Sequence, residues 1–319
     1  MLIVLIWVDD VIIFASDDLL TKDFKQKMSS VFKMTDLGQL HWFIGMQFIR
    51  SENSIEINQS LYIEKVLKRF NMTDCTPRKL PCDPNFANTT SIDSKPLPDA
   101  KLYQEIVGSL IYVMTGTRPD ISYVVSKLAQ FMHNPTEYHL SVAKNVLKYL
   151  KGTIHYSLKY SKLNFPIKLI GYCDSDWGSS EDRKSISAYC FMINSEGPLI
   201  SWKTKKQQIV ALSSCEAEYM SMTNAIQQGK FLRQLFIDLI GIELPINLGV
   251  DNQGAINLGK NPVYHQRSKH IDIRYHFIRD EISNGSVNLF YISTVDNPSD
   301  IFTKPVSQSK LSKFAFIRG

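Results

Sequence analysis

Lys168-Leu-Ile-Gly-Tyr-Cys-Asp-Ser-Asp-Trp-Gly178 is the stretch whose reading decides the fold. Lys168–Cys173 has the apolar content of a buried strand, and the run stops on two acids, Asp174 and Asp176. Reading outward from it, further strands are expected at Ile186–Ile193, Leu199–Lys203, Ile246–Val250 and Val287–Ile292. Helical spacing is expected over 214–240, 253–259, 269–283 and 298–304. Three hairpin-connected strands followed by strand–helix alternation predict a mixed sheet with helices packed against it, an α/β (α+β) class.

Upstream the pattern is different. Leu2–Trp7 and Val11–Ala15 are apolar runs flanking Asp9-Asp10, which reads as a hairpin with an acidic turn. Strands apolar on both faces need cover on both, so the covering elements are expected outside this chain. Leu20, Phe24, Met28 and Val31 give helical spacing over 17–34. Asp36-Leu37-Gly38 is a turn leading into one strand, Trp42–Phe48. A strand at Ile55–Ile57 precedes a helix over 60–70. Residues 76–100 hold Pro77, Pro81, Pro84, Pro96 and Pro98, the composition of a linker or extended arm. Helices over 101–116, 119–132 and 137–151 form a small layer between two larger pieces.

The 319 residues suggest about two domains, and 44% hydrophobic content is enough to build their cores. A net charge of +5 leans mildly towards polyanionic partners. The five cysteines form no C-x-x-C pair, which argues against a disulfide framework or a zinc site. The apolar N-terminus lacks a basic segment and is interrupted by Asp9-Asp10, so it does not read as a signal peptide. No stretch reads as long enough to span a bilayer, and a soluble protein with no membrane partner is expected.

Four acids stand at element ends: Asp174, Glu218, Asp251 and Asp300. Strand ends and helix starts are where an open α/β sheet gathers functional groups. Four carboxylates brought together repel, and a divalent cation removes the conflict. Hard oxygens suit magnesium, and a pair of such ions suits in-line phosphodiester hydrolysis. No G-x-x-x-x-G-K-[ST] loop is present, which disfavours nucleotide hydrolysis. Ser213 and Glu216 have capping-box spacing, so Glu216 is assigned to the helix start and Glu218 to the metal. Asp174 is preferred over Asp176 because it is nearer the rigid strand.

Five segments carry a resemblance: Gly171-Tyr-Cys-Asp-Ser-Asp-Trp-Gly178, Ser213-Ser-Cys-Glu-Ala-Glu-Tyr219, Val250-Asp-Asn-Gln-Gly-Ala-Ile256, Arg267-Ser-Lys-His-Ile-Asp-Ile-Arg-Tyr-His-Phe-Ile-Arg279 and Asp300-Ile-Phe-Thr-Lys-Pro305. Together they resemble the ribonuclease H domain of copia-type LTR retrotransposon polyproteins. The resemblance implies a ribonuclease H-like five-stranded mixed sheet and cleavage of the RNA strand of RNA–DNA hybrids. It also implies two Mg2+ ions (Mn2+ as substitute) on Asp174, Glu218, Asp251 and Asp300. Trp7-Val8-Asp9-Asp10 resembles the reverse transcriptase palm motif, with Trp7 where tyrosine is usual, and gives Asp9 and Asp10 a metal role. Asp36–Gly45, Tyr103–Tyr112 and Thr117–Ile121 resemble the segments that follow in the same family. The implied layout is palm and start of thumb over 1–75, linker and helical thumb/connection over 76–165, and ribonuclease H over 166–319.

The polymerase half is expected to be incomplete, because an aspartate from an earlier palm strand has no place before Leu2. The chain by itself is therefore expected not to polymerise DNA. One departure from the family stands out: Tyr291–Asn297 holds no histidine, and His270 is the nearest substitute by motif. Lys203, Lys205, Lys206, Arg267, Lys269, His270 and Arg274 are the candidate contacts to nucleic acid. The expected partner is an RNA–DNA hybrid, with a full-length Pol copy or other polyprotein products as further candidates. The expected location is cytoplasmic, in the virus-like particle of a parent element, with the nucleus as an alternative. The competing reading is an inactive polyprotein remnant that only binds nucleic acid or a partner.

Overall fold

The structure is a computed structural model, and it describes residues 1–84, 86, 94–162, 166–195, 197–260 and 272–314, without the side chains of 272–275. It opens with the expected hairpin, β1 (Leu2–Trp7) and β2 (Asp10–Ala15), paired antiparallel. α1 (Asp18–Val31) follows, its first turn closed by Asp17, whose carboxylate accepts from the Leu19 N–H at 2.8 Å. α1 buries none of its residues, and β1 and β2 hold none that is fully buried.

The strand expected over Trp42–Phe48 is two strands, β3 (Trp42–Phe43) and β4 (Met46–Arg50). Ile44 (φ 42°) and Gly45 (φ 74°) turn the chain between them. Two consecutive positive φ values are the signature of a tight hairpin turn, and glycine makes the second one cheap. The Tyr112 hydroxyl, donating to the Ile44 carbonyl, ties this turn to the helical layer. β5 (Ser54–Asn58) continues the meander and leads to α2 (Ser60–Arg69).

The layer itself is α3 (Lys101–Gly116), α4 (Ser122–Leu128) and α5 (Glu137–Gly152). The helix expected over 119–132 is split into a 3-10 turn Pro119–Ile121, α4, and a second 3-10 turn Ala129–Phe131. Tyr103, Ile106, Leu110, Val146, Leu147 and Leu150 make its core, into which α2 inserts Ile63 and Val66. β6 (Leu158–Ser161), which the pattern did not reveal, returns to pair with β5 and completes the order β3-β4-β5-β6. It is four residues long with one buried side chain, Leu158, too little to register as alternation.

The second half has β7 (Leu169–Asp176), β8 (Ile186–Ile193), β9 (Leu199–Lys206), α6 (Ser214–Ile240), β10 (Ile246–Val250), α7 (Gln253–Lys260), α8 (Asp272–Ser283), β11 (Val287–Tyr291) and α9 (Gln308–Lys313). The sheet order is β11-β10-β7-β8-β9. β7, β8 and β9 pair antiparallel, while β10 lies parallel to both β7 and β11. This is the ribonuclease H-like mixed sheet that the resemblance implies. α6 lies close on the sheet at Gly229, where a Cβ would stand 2.9 Å from the Ile246 side chain.

Several features differ from the sequence reading. β7 runs on through Asp176, because its ladder with β8 continues to the pair Asp176↔Ile186. The last expected helix, 298–304, is a 3-10 turn, Pro298–Phe302. α9 is short and polar, and it lacks the periodicity that would announce it. Residues 261–271 lie outside the described residues, so α8 is seen from Asp272 only. All five cysteines are free, and no described helix is long and apolar enough to cross a membrane.

Candidate metal centre

The register of the parallel pair β7–β10 sets up the site. Tyr172 lies opposite Gly249, so Asp174 and Asp251, each two residues further on, emerge together at the same end of the sheet. The 3-10 turn brings Asp300 to the same end. Asn297 caps that turn, accepting from the Ser299 N–H at 3.1 Å, and its Nδ2 donates to the Cys173 carbonyl at 3.0 Å. One residue thus shapes the turn and fastens it to the strand that carries Asp174. One carboxylate oxygen each from Asp174, Asp251 and Asp300 fall within 4.8 Å of one another.

Glu218 approaches from the first turns of α6. Ser213 caps that helix, its hydroxyl accepting from the Glu216 N–H at 3.2 Å. The Glu216 carboxylate accepts from the Leu212 N–H at 2.7 Å, which leaves it occupied at the helix start. Glu218 points to β7 instead: its Oε1 accepts from the Ser175 N–H at 2.9 Å and the Ser175 hydroxyl at 2.8 Å. Its other oxygen, Oε2, is buried with no hydrogen-bond partner. Ser221, one turn on, donates to the Asp174 carbonyl at 2.7 Å and locks helix to strand.

The electrostatics are those of crowded like charges. Burial pushes the Asp174 carboxyl above its usual range, and the charges of Asp300 and Asp251 add to this. Lys304 and a hydrogen bond from the Thr303 hydroxyl to Asp174 Oδ2 pull the other way. Glu218 is raised well above the carboxylate range, first by burial and then by Asp174 and Asp251. Asp176 is also raised, chiefly by burial. Two cations reach Asp300: Lys304 at 2.9 Å from Oδ1, and Lys310, whose ammonium touches Oδ2 and the Thr294 carbonyl. An all-oxygen donor set with a buried, unpartnered carboxylate oxygen fits a hard divalent cation.

The other residues singled out from sequence lie elsewhere. Asp9 and Asp10 sit exposed at the tip of the β1–β2 hairpin, beside Val8 at φ 52°, and among the described residues no third acid joins them into a cluster. Lys203 and Lys205 are exposed on one face of the edge strand β9, but Lys206 is on the other face and pairs with Asp182 at 2.9 Å. The three lysines therefore do not form one patch. Arg267, Lys269 and His270 fall outside the described residues, as does the Arg274 side chain. The residues the sequence did not single out are Asn297, Ser175, Thr303, Lys304 and Lys310. The Asn-Pro pair at a helix start was the one available signal for Asn297.

A second buried charge lies in the helical layer. Arg118 is fully buried and donates to both Asp120 oxygens, at 3.0 and 2.7 Å. It also donates to the Thr153 carbonyl at 2.9 Å and the Thr153 hydroxyl at 2.6 Å. Tyr149 donates to Asp120 Oδ2 at 2.7 Å, and the guanidinium lies over the Tyr149 and Tyr156 rings.

Comparison with known proteins agrees with this architecture. The family model described as reverse transcriptase (RNA-dependent DNA polymerase) matches residues 1–84. The retrovirus-related Pol polyprotein from transposon RE1 of Arabidopsis thaliana is 38% identical over 98% of this chain and 21% of its own length. A transposon Ty5-1 protein of Saccharomyces cerevisiae is 31% identical over 70% of this chain and 72% of its own length. Among solved structures, the foamy viral protease-reverse transcriptase in complex with dsDNA has a TM-score of 0.52 at 12% identity, covering 91% of this chain and 55% of that one. The same protein in complex with an RNA/DNA hybrid gives a TM-score of 0.50 at 13% identity, over 95% of this chain and 37% of that one. At such identities the likeness establishes fold alone. The chain spans about a fifth of the length of the RE1 polyprotein. With its sheet order, its acids and these relatives together, the chain belongs to the retrovirus-related Pol polyproteins of copia-type transposons.

Proposed function

We propose that residues 166–319 are a divalent-metal ribonuclease H that hydrolyses the RNA strand of an RNA–DNA hybrid, within a longer retroelement polyprotein. Residues 1–75 would then be the end of the palm and start of the thumb, and 76–165 the thumb and connection. The observation that carries the reading is the convergence of Asp174, Asp251 and Asp300 within 4.8 Å, next to a Glu218 oxygen that is buried and unpartnered.

Asp174, Asp251, Asp300 and Glu218 would hold the ions, Mg2+ by hardness with Mn2+ as a substitute. Bound there, such ions supply an activated water and charge for the leaving oxygen. The chain's own residues supply position. Ser175 fixes the rotamer of Glu218, Thr303 orients Asp174, and Asn297 holds the Asp300 turn against β7. Lys203 and Lys205 offer exposed charge for phosphates along β9. A foamy viral relative in fold is described with an RNA/DNA hybrid, which supports this class of partner. Asp9 and Asp10 would serve a polymerase ion only together with acids from elsewhere in the polyprotein.

The test is a labelled hybrid incubated with the full chain and Mg2+ or EDTA, for wild type and Asp174→Asn. RNA cleavage that needs Mg2+ and disappears in the variant is expected. A folded wild type that binds the hybrid and never cuts it would assign the chain to the remnant class instead.

A further inference from the structure

Lys304 and Lys310 both place an ammonium on Asp300, yet they are held differently. Lys310 has two acceptors, Asp300 Oδ2 and the Thr294 carbonyl, and its side chain is 22% exposed. Lys304 makes one ion pair, to Asp300 Oδ1 at 2.9 Å, and its side chain is 38% exposed. Its charge also acts on Asp174 and Asp176, so its ammonium lies within the field of these acids as well. The backbone beneath it is firm: the Lys304 N–H bonds to the Asp300 carbonyl at 3.3 Å, one residue after Thr303, whose hydroxyl bonds to Asp174.

We infer that Lys304 is a substrate-binding residue of this site, contacting a phosphate of the RNA strand beside the scissile bond. The inference rests on the nuclease reading above. Fully ionised, the four acids would carry four negative charges, which two divalent ions would neutralise. A divalent ion on Asp300 competes with the lysines for the same oxygens. Lys310 keeps its carbonyl acceptor, whereas Lys304 loses its one ion pair and keeps only the charge of Asp176 within its field. A phosphodiester laid across the ions brings that anion to within reach of a flexible four-carbon stem. Tyr291–Asn297 holds no histidine, and among the described residues Lys304 is the more exposed of the two cations paired with the last acid.

The experiment measures hybrid binding by fluorescence anisotropy on the full chain in Ca2+, across a salt series, with divalent-ion binding followed separately by calorimetry. Variants are Lys304→Met, Lys304→Arg and, as a charge control, Lys313→Met, which removes a surface charge paired with exposed Asp296. Lys304→Met is expected to weaken hybrid binding about tenfold and to lower the salt slope by about 1, as for one lost phosphate contact. Lys304→Arg is expected to restore most of both, Lys313→Met to change affinity less than twofold, and ion binding to Lys304→Met to stay equal or tighten. Hybrid affinity and salt slope unchanged in Lys304→Met, with ions and hybrid still bound by wild type, would overturn this inference and leave the nuclease reading standing. Weaker ion binding in Lys304→Met would also overturn it, since the lysine would then be only a support for Asp300. A wild type whose hybrid binding ignores divalent ions would remove both.

Discussion

Two buried polar centres in this chain solve the same problem in opposite ways. In the helical layer, the Arg118 guanidinium finds Asp120, Thr153 and the Tyr149 and Tyr156 rings, and its charge is answered within the chain. At the end of the β7–β10 pair, carboxylates face one another and Glu218 Oε2 is left without a partner. A complete network fixes one structure and asks for nothing more. An incomplete one, in which four acids outnumber the two lysines that reach them, asks for further positive charge. On the proposed reading, the contrast separates a structural charge from a functional one more sharply than burial does, since Arg118, Asp120, Asp174, Glu218 and Asp300 are all buried.

The largest expected effect tests that division at the acids. Loss of supporting groups around a metal already costs about 10–100-fold. Asp174→Asn should therefore lower Mg2+-dependent hybrid cleavage by more than about a thousandfold, ~4 kcal/mol of transition-state stabilisation, with circular dichroism unchanged. Retained cleavage would erase the contrast. Arg118→Met should do the reverse. It leaves Asp120 uncompensated and should cost about 3 kcal/mol or more in urea unfolding. The Mg2+-induced rise in Tm should persist in whatever fraction still folds. A loss of ion binding with normal stability would mean that the two centres had been assigned the wrong way round.

A smaller effect is expected at the joint between turn and strand. Asn297→Ala removes a cap and the bond to Cys173, and should cost about 1–2 kcal/mol of stability. It should also cost about 10–100-fold in cleavage, because Asp300 is no longer held in place. Equal cleavage per folded molecule would show that the turn needs no such fastening.

The smallest effect sharpens the comparison through pH. The folded carboxyls of Asp174 and Glu218 titrate above their unfolded values. The sign follows: in EDTA their stabilisation is present below the ordinary carboxylate range and is lost as pH rises through the folded values. Thermal melts should therefore show Tm falling over that interval, with the fall reduced in Glu218→Gln. Saturating Mg2+ should reverse the trend, because the ionised carboxylates are the ligands. Arg118 contributes no such slope: burial pulls its pKa down, but Asp120 outweighs this and holds it above the usual value.

The second half was legible because its signals are long and local. Ile186–Ile193 is a mostly apolar run, Ile246–Val250 has apolar side chains at alternate positions, and Ser213-x-x-Glu216 announces the start of α6. Separating Glu216 from Glu218 was a local matter too, since the cap uses up the first carboxylate. Long-range pairing was not legible. β6 is recognisable only through its partner β5, about a hundred residues earlier. The β3–β4 turn hid inside an apolar run because Ile44 and Gly45 reverse the chain without a polar marker. Lys203, Lys205 and Lys206 do not share a face for a simple reason: alternation sends the third to the opposite side of the strand. Thr303, Lys304 and Lys310 were invisible as site residues because their role depends on where the 3-10 turn and α9 place them around Asp300 and Asp174.

The most direct test is anomalous diffraction at the manganese edge from crystals of the full chain grown with Mn2+. The account predicts density for the ion between Asp174, Asp251 and Asp300, with Glu218 Oε2 turned into its coordination. Ordered carboxylates with no ion among them, or manganese bound only at the Asp9–Asp10 tip, would contradict it.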